Sequence, residues 1–289
     1  MILATEKNWL RTYTLKAGKQ GADGFEIGNT NDVNQTVLHI SFSCEKSEKE
    51  AANTAKIQIW NLSNKNLKIL EKKDCMVELK AGYGNNRALI FAGAVTSAVT
   101  TIDGADRFTE LQVVDGRVAL RDTKMNISLN GVVNAKTVYG MIAGQMGLSI
   151  KYAKGLSFKN FPNGYSFVGK GRICLKKMAR ACGHIWSIQN GVIQITKKGT
   201  PVNTKGYLLS HDTGLIGIPK RITIAQDSDS KQDRIGYEIQ YFLNGAIEVN
   251  DTVKIKTEEL QGYFRVEKVT IDGDNMEGDF LCTAQVIEV

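Results

Sequence analysis

Apolar and polar residues alternate over long stretches of the chain, at the period of two that puts successive side chains on opposite faces of a strand. VLHISFS (37–43) and TAKIQIW (54–60) both read this way. In CMVELKAG (75–82), Val77, Leu79 and Ala81 share one face while Glu78 and Lys80 share the other. Between these stretches, NLSNKNLKILEKKD changes period, and Leu67 and Leu70 fall on the inner side of a short helix that Ser63 is placed to cap. ALIFAG and AVTSAVTTI follow as one or two strands, DGAD turns the chain, and RFTELQVVD returns. The pattern predicts an antiparallel, barrel-like or sandwich-like unit carrying one helix.

The middle of the chain has a different rhythm. AKTVYGMIAGQMG (135–147) spaces Val138, Ile142 and Met146 four apart and ends on Gly147. RICLKKMARACG (172–183) repeats the device with Ile173, Leu175, Met178, Ala179 and Cys182, stopped by Gly183. Two apolar runs in HIWSIQNGVIQIT are joined by Asn190-Gly191, the dipeptide that tolerates both positive φ angles of a type I′ hairpin. From about residue 206 strands resume: RITIAQ, RIGYEIQYFL, VKIKT, YFRVEKVTI and FLCTAQVIEV. Asn250-Asp251 supplies the turn before VKIK.

The last region also echoes the first. DCMVELK (74–80) resembles DTVKIK (251–256), TIDG occurs at 101–104 and at 270–273, and QVVD (112–115) parallels QVIE (285–288). Three matches in the same order predict an internal duplication interrupted by an inserted unit. The expected organisation is mainly β with an α+β insert: a first barrel domain over 1–122, a basic α+β domain over 123–205 with two helices and a hairpin, and a second barrel domain over 206–289.

Charge sharpens that division. The 289 residues carry a net charge of +7, yet from Thr123 to His211 there is no Asp or Glu and there are thirteen Lys or Arg. The rest of the chain is mildly acidic, so the middle unit is set apart and suited to an anionic neighbour. Lys170, Arg172, Lys176, Lys177 and Arg180 concentrate the charge, with Arg172, Lys176 and Arg180 on one helix face. No aromatic residues interleave them as a dedicated single-strand reader would need. No run reaches the roughly 18 apolar residues of a membrane helix.

Catalytic chemistry finds little support. GYSFVGKG (164–171) spells most of a phosphate loop, but Gly171 stands where the magnesium-binding hydroxyl belongs. LSFKNFPN before it is no buried strand, so the stretch reads as a glycine-flanked turn feeding a helix. His39, His184 and His211 belong to no metal or nucleophile motif, and a Cys182–His184 pair would lie across a helix end and a strand start. Cys44, Cys75, Cys174, Cys182 and Cys282 form no C-x-x-C pair and read as buried free thiols. No cofactor, metal or catalytic residue is expected. A wall hydrolase using carboxylates such as Asp212 or Glu258 is the least favoured reading.

The ordered motifs AKIQIWNLSNKNLKIL, VELKAGYGNNRALIFAGAVTSAVT and LQVVDGRVAL, with HDTGLIGIPKRIT further on, resemble the baseplate hub proteins of contractile phage tails and phage-tail-like bacteriocins. The family turn before VKIK contains Pro and Gly, whereas this chain has NGAIEVNDT. The resemblance implies a structural, non-enzymatic subunit with two tail-tube-like barrels. Three copies would form a pseudo-sixfold ring between a hexameric tail tube and a trimeric spike. It further implies a homotrimer contacting tube, spike and other baseplate subunits, with DNA or tape-measure protein passing through the lumen. Such a particle is assembled in the bacterial cytoplasm and released. A tail-tip module that binds polyanions or cell wall is the alternative.

Overall fold

The computed structural model describes residues 10–19, 21–29, 36–197, 199–202, 206–224 and 234–289. The first part contains β1 (Arg11–Gly18), β2 (Gly24–Gly28), β3 (Ile40–Ser47), β4 (Thr54–Trp60), α1 (Asn64–Leu70), β5 (Met76–Tyr83), β6 (Asn86–Asp103), β7 (Asp106–Val114) and α2 (Arg117–Asp122). The middle holds β8 (Lys124–Leu129), β9 (Val133–Asn134), α3 (Ala135–Met146), β10 (Ser149–Tyr152), β11 (Asn160–Phe161), β12 (Tyr165–Lys170), α4 (Gly171–Cys182), β13 (Ile185–Gln189) and β14 (Val192–Thr196). The last part contains β15 (Gly206–Leu209), β16 (Leu215–Ile224), β17 (Arg234–Phe242), β18 (Thr252–Lys256), β19 (Gln261–Asp274) and β20 (Phe280–Glu288). The mainly-β expectation holds, with helices confined to short pieces.

Local signals account for much of this. Ser63 accepts a hydrogen bond from the Asn66 amide and starts α1, which buries Ile69 and Leu70. Gly147 and Gly183 end α3 and α4 with φ of 66° and 68°, the left-handed cap that residues with a Cβ resist. Asn190 and Gly191 have φ of 51° and 77°, as a type I′ turn requires. Asn250, with φ of 69°, makes the turn before β18. GYSFVGKG departs from expectation: Tyr165–Lys170 is a strand paired antiparallel with β8, and the turn lies just before it. Its alternating half-burial is a strand pattern that the phosphate-loop likeness obscured.

The two ends of the chain repeat one pairing scheme. In the first, β1 pairs β5, β5 pairs β6, β6 pairs β7, β7 pairs β4 and β4 pairs β3. In the last, β15 pairs β18, β18 pairs β19, β19 pairs β20, β20 pairs β17 and β17 pairs β16. Chain order is preserved from β1, β3, β4, β5, β6, β7 to β15, β16, β17, β18, β19, β20. A bulge falls at the matching place, between Val95 and Ser97 in β6 and between Val266 and Lys268 in β19. The outermost pair differs, being antiparallel for β1–β5 and parallel for β15–β18.

Register tests the three sequence echoes separately. Val77 and Val253, and Gln112 and Gln285, occupy equivalent ladder positions, so two echoes are structural. The TIDG echo is not: counted from the bulge, Thr270 matches Val99 rather than Thr101. From the bulge both strands run seven residues, to Asp103 and to Asp274, and TIDG begins two positions earlier in β19 than in β6.

No barrel closes among the described residues. β3 pairs antiparallel with β19, joining the halves into one open 13-stranded sheet. One hydrophobic core, from Tyr13 and Leu15 to Ala284 and Val286, serves both. The middle unit has its own core, including Tyr139, Ile142, Leu175 and Trp186, between α3, α4 and the sheet β10–β14–β13.

Candidate assembly interface

A buried polar junction fixes the middle unit against both halves. The tip of the β13–β14 hairpin enters it, and the Asp115 carboxylate accepts from the amides of Asn190 (2.6 Å) and Gly191 (3.0 Å). Asn53 donates to the Ile188 carbonyl and to Gln189 Oε1, both at 2.8 Å. From the other half, Asn250 donates to Gln194 Oε1 (3.2 Å) and Glu248 accepts from the Asn190 side chain (3.2 Å). Burial raises the Asp115 carboxyl to about 6, against the two amides and the nearby Lys46 ammonium, which lower it. Lys46 is itself buried, which lowers its pKa while Glu248 and Asp115 favour its charge.

Beside this junction lies a chain of ions. Arg265, nearly inaccessible, pairs with Glu48 and Glu267 and donates to Asn250 Oδ1 at 3.0 Å. Arg234 reaches Glu267 at 2.8 Å. Burial and the neighbouring Glu48 push the Glu267 carboxyl up, opposed by the two guanidiniums. Such a cluster discriminates strongly against loss of one partner, because a lone charge would remain buried. The sequence marks Asn250 only as a turn residue and marks none of the four charged members: Arg265 and Glu267 share β19, Arg234 reaches them from β17, and Glu48, just past β3, joins them only when β3 meets β19.

Two strand edges that are filled in one half have vacant counterparts in the other among the described residues. β19 uses one edge twice, for β18 over 261–265 and for β3 over 268–274. The matching edge of β6 carries β5 over 86–94, and its continuation over 95–103 has no strand beside it among the described residues. Coverage differs accordingly: Val269 and Ile271 are buried in β19, whereas their equivalents in β6, Ala98 and Thr100, are half-buried and exposed, and Val99 and Ile102 beside them are 55% and 76% exposed. β16, the counterpart of β3, likewise pairs with β17 alone. Ile218 on β16 is 63% exposed.

No protein family matches the sequence, and no curated protein does. Solved structures do. A 43 kDa tail protein of prophage MuSo2 from Shewanella oneidensis superposes with a TM-score of 0.61 at 10% identity, covering 96% of this chain and 98% of that one. A tail protein from Neisseria meningitidis MC58 gives 0.59 at 10% identity, covering 95% and 96%. The fold is that of phage tail proteins. The c3393 protein of E. coli also matches, with a TM-score of 0.59, 10% identity and coverage of 90% and 76%. It is described as a type VI secretion component with structural similarity to the T4 tail proteins gp27 and gp5.

Within this tail-protein fold, the five basic residues singled out by sequence are all exposed on β12 and α4. Two turn inward along the surface: Arg172 donates to the Glu50 carbonyl at 3.2 Å and Lys176 lies 3.8 Å from the Glu50 carboxylate. Lys177 stands over the Phe167 ring, 5.4 Å from its centre. Lys170 and Arg180 extend from opposite ends of the helix. His184 is packed, bonded to the Tyr139 hydroxyl and the Ser157 carbonyl, and burial lowers its pKa. His39 bonds Asp274 at 2.9 Å and stacks on Trp60. Cys44, Cys75, Cys174 and Cys282 are buried free thiols, while Cys182 is half-buried. Asp212 lies exposed in a single 3₁₀ turn over His211–Thr213, and Glu258 lies exposed in the β18–β19 connection. No group of three or more His, Cys, Asp or Glu able to hold a metal occurs among the described residues. Nor is any helix among them long and apolar enough to cross a membrane.

Proposed function

We propose that this chain is a baseplate hub subunit of a contractile injection particle. Three copies form a pseudo-sixfold ring that joins a hexameric tail tube to a trimeric spike. The observation that carries the reading is the repeated pairing scheme: each chain presents two similar halves of one sheet, so threefold symmetry can imitate sixfold. The tail-protein fold supports a structural role in a phage tail or related particle. In this reading each half is an arc of wall that closes into a tube only between subunits. Segments 1–122 and 206–289 then act as wall units and 123–205 as an attached basic unit.

The exposed basic cluster, Lys170, Arg172, Lys176, Lys177 and Arg180, would meet an acidic partner subunit or cargo in the lumen. The work is geometric and needs no bond chemistry. Native mass spectrometry of the purified chain, alone and with its tube protein, tests the reading. A mass of three copies is expected. A strict monomer in both conditions would reject it.

The acid-free middle segment favours one other reading, a tail-tip module that grips polyanions. It requires full-length protein to bind DNA or teichoic acid with affinity that falls steeply as salt rises. Salt-independent binding, or none, would set it aside.

A further inference from the structure

The chain already contains one complete example of the contact that could join two copies. β3 of the first half lies antiparallel along the second stretch of β19, with Lys268 opposite Ser47 and Ile271 opposite Cys44. The equivalents of these strands are β16 and β6, and in each the corresponding edge is vacant among the described residues. We infer that β16 of one copy pairs antiparallel with residues 97–101 of β6 in the next, reproducing between chains the β3–β19 ladder found within one. The inference rests on the trimeric reading and adds the strands and register of its interface.

The register follows from the ladders already present. Val266 and Val95 each precede the bulge, so Thr270 corresponds to Val99. Following β7 to β20 and β4 to β17, Ala55 corresponds to Tyr237, and their partners Cys44 and Arg221 correspond in turn. Glu45 opposes Thr270 within the chain, so its equivalent Ile222 opposes Val99 between chains. Thr223 then faces Ala98, and Arg221 faces Thr100.

Three features of the surface agree with this placement. Val99 and Ile102 form the exposed apolar part of β6, and the register brings them to Ile222 and to the Ile218 region of β16. No like charges oppose one another along the ladder, since the β6 stretch over 97–102 carries none. A groove of about 390 Å³ opens beside residues 94–98 and against α1 and α2. It lies where, on β19, the end of β3 is held by the Glu48 amide bonding the Glu267 carbonyl at 3.1 Å. β16 is less regular than β3, with a register shift between Ile216 and Lys220, so the ladder is expected over 220–224 and interrupted beyond. An exposed edge of this length attracts a partner strand unless it is blunted, and a head-to-tail contact of this kind builds rings when its rotation closes.

Cysteine pairing tests the register. In a Cys182→Ser background, Val99→Cys and Ile222→Cys combined in one chain should oxidise to a ladder of disulfide-linked species ending at three copies. Directly opposed strand residues lie within disulfide reach. Val99→Cys with Thr223→Cys, whose side chains leave opposite faces, should stay unlinked. As an independent measure, Val99→Lys with Ile222→Lys should weaken association about tenfold in sedimentation, and Val99→Lys with Ile222→Glu should restore it. Trimers that ignore both the cysteine and the charge pairs would overturn this interface while leaving the trimeric reading intact. A protein monomeric by native mass spectrometry and unlinked by oxidation would overturn both.

Discussion

Asp115 shows how much can depend on one side chain that no motif marks. It is buried, and its oxygens hold the amides of a hairpin 75 residues further along the chain. Burial keeps its carboxyl near 6 in the folded state, against 3.8 when free. Between those pH values the folded chain retains a proton that the unfolded chain releases. Stability from this group is therefore greatest below pH 4, falls by about 3 kcal/mol as pH rises to 6, and is level above. Urea unfolding midpoints across pH 4 to 7 should show that fall, and Asp115→Asn should remove most of it. An unchanged slope in the variant would mean another group titrates there. In the sequence this residue is legible only as the end of the strand RFTELQVVD and of the QVVD echo. Its partners at 190 and 191 were legible as a hairpin, but nothing local says that a carboxylate from the first half clamps it.

At the scale of elements, sequence reading succeeded where a segment carries its own start, period and stop. Helices α3 and α4 announce themselves through four-residue apolar spacing and a glycine that adopts positive φ. The β13–β14 hairpin does so through Asn190-Gly191. In β12 the flanking Gly164 and Gly171 suggest a turn, whereas pairing with β8 decides that 165–170 is a strand. The basic face of α4 was legible as a cluster but not its attachment, since Glu50 comes from the β3–β4 connection. That attachment is a half-exposed ion pair worth under about 1 kcal/mol. Arg172→Ala with Lys176→Ala should accordingly shift the chemical denaturation midpoint only slightly. A loss above about 2 kcal/mol would reveal that the helix face anchors the middle unit more firmly than its geometry indicates.

At the scale of the whole molecule, the halves are not independent. β19 covers β3, and Ile271 and Cys282 share a core with Ile57 and Leu111. A fragment ending at residue 205 therefore exposes that core and strips the partner from β3. Hydrogen exchange on it should show protection lost in β3 and β4 and largely kept in α3, α4 and β13, whose core is separate. Equal protection throughout would show that the first half folds alone. The residue pattern alone carries the mainly-β character, the change of period and the charge of the middle stretch, and two true echoes between the ends of the chain. These reside in period, capping and composition, which neighbouring residues set between them. Strand pairing and side-chain contacts settle the rest: the repeats fuse into one open sheet, a polar junction locks the insert, and among the described residues one edge of β16 and the edge of β6 past residue 94 have no strand beside them. Each of those depends on residues brought together from 56 to 217 and more positions apart, where a two-residue slide such as that of TIDG changes every partner while leaving the letters alike.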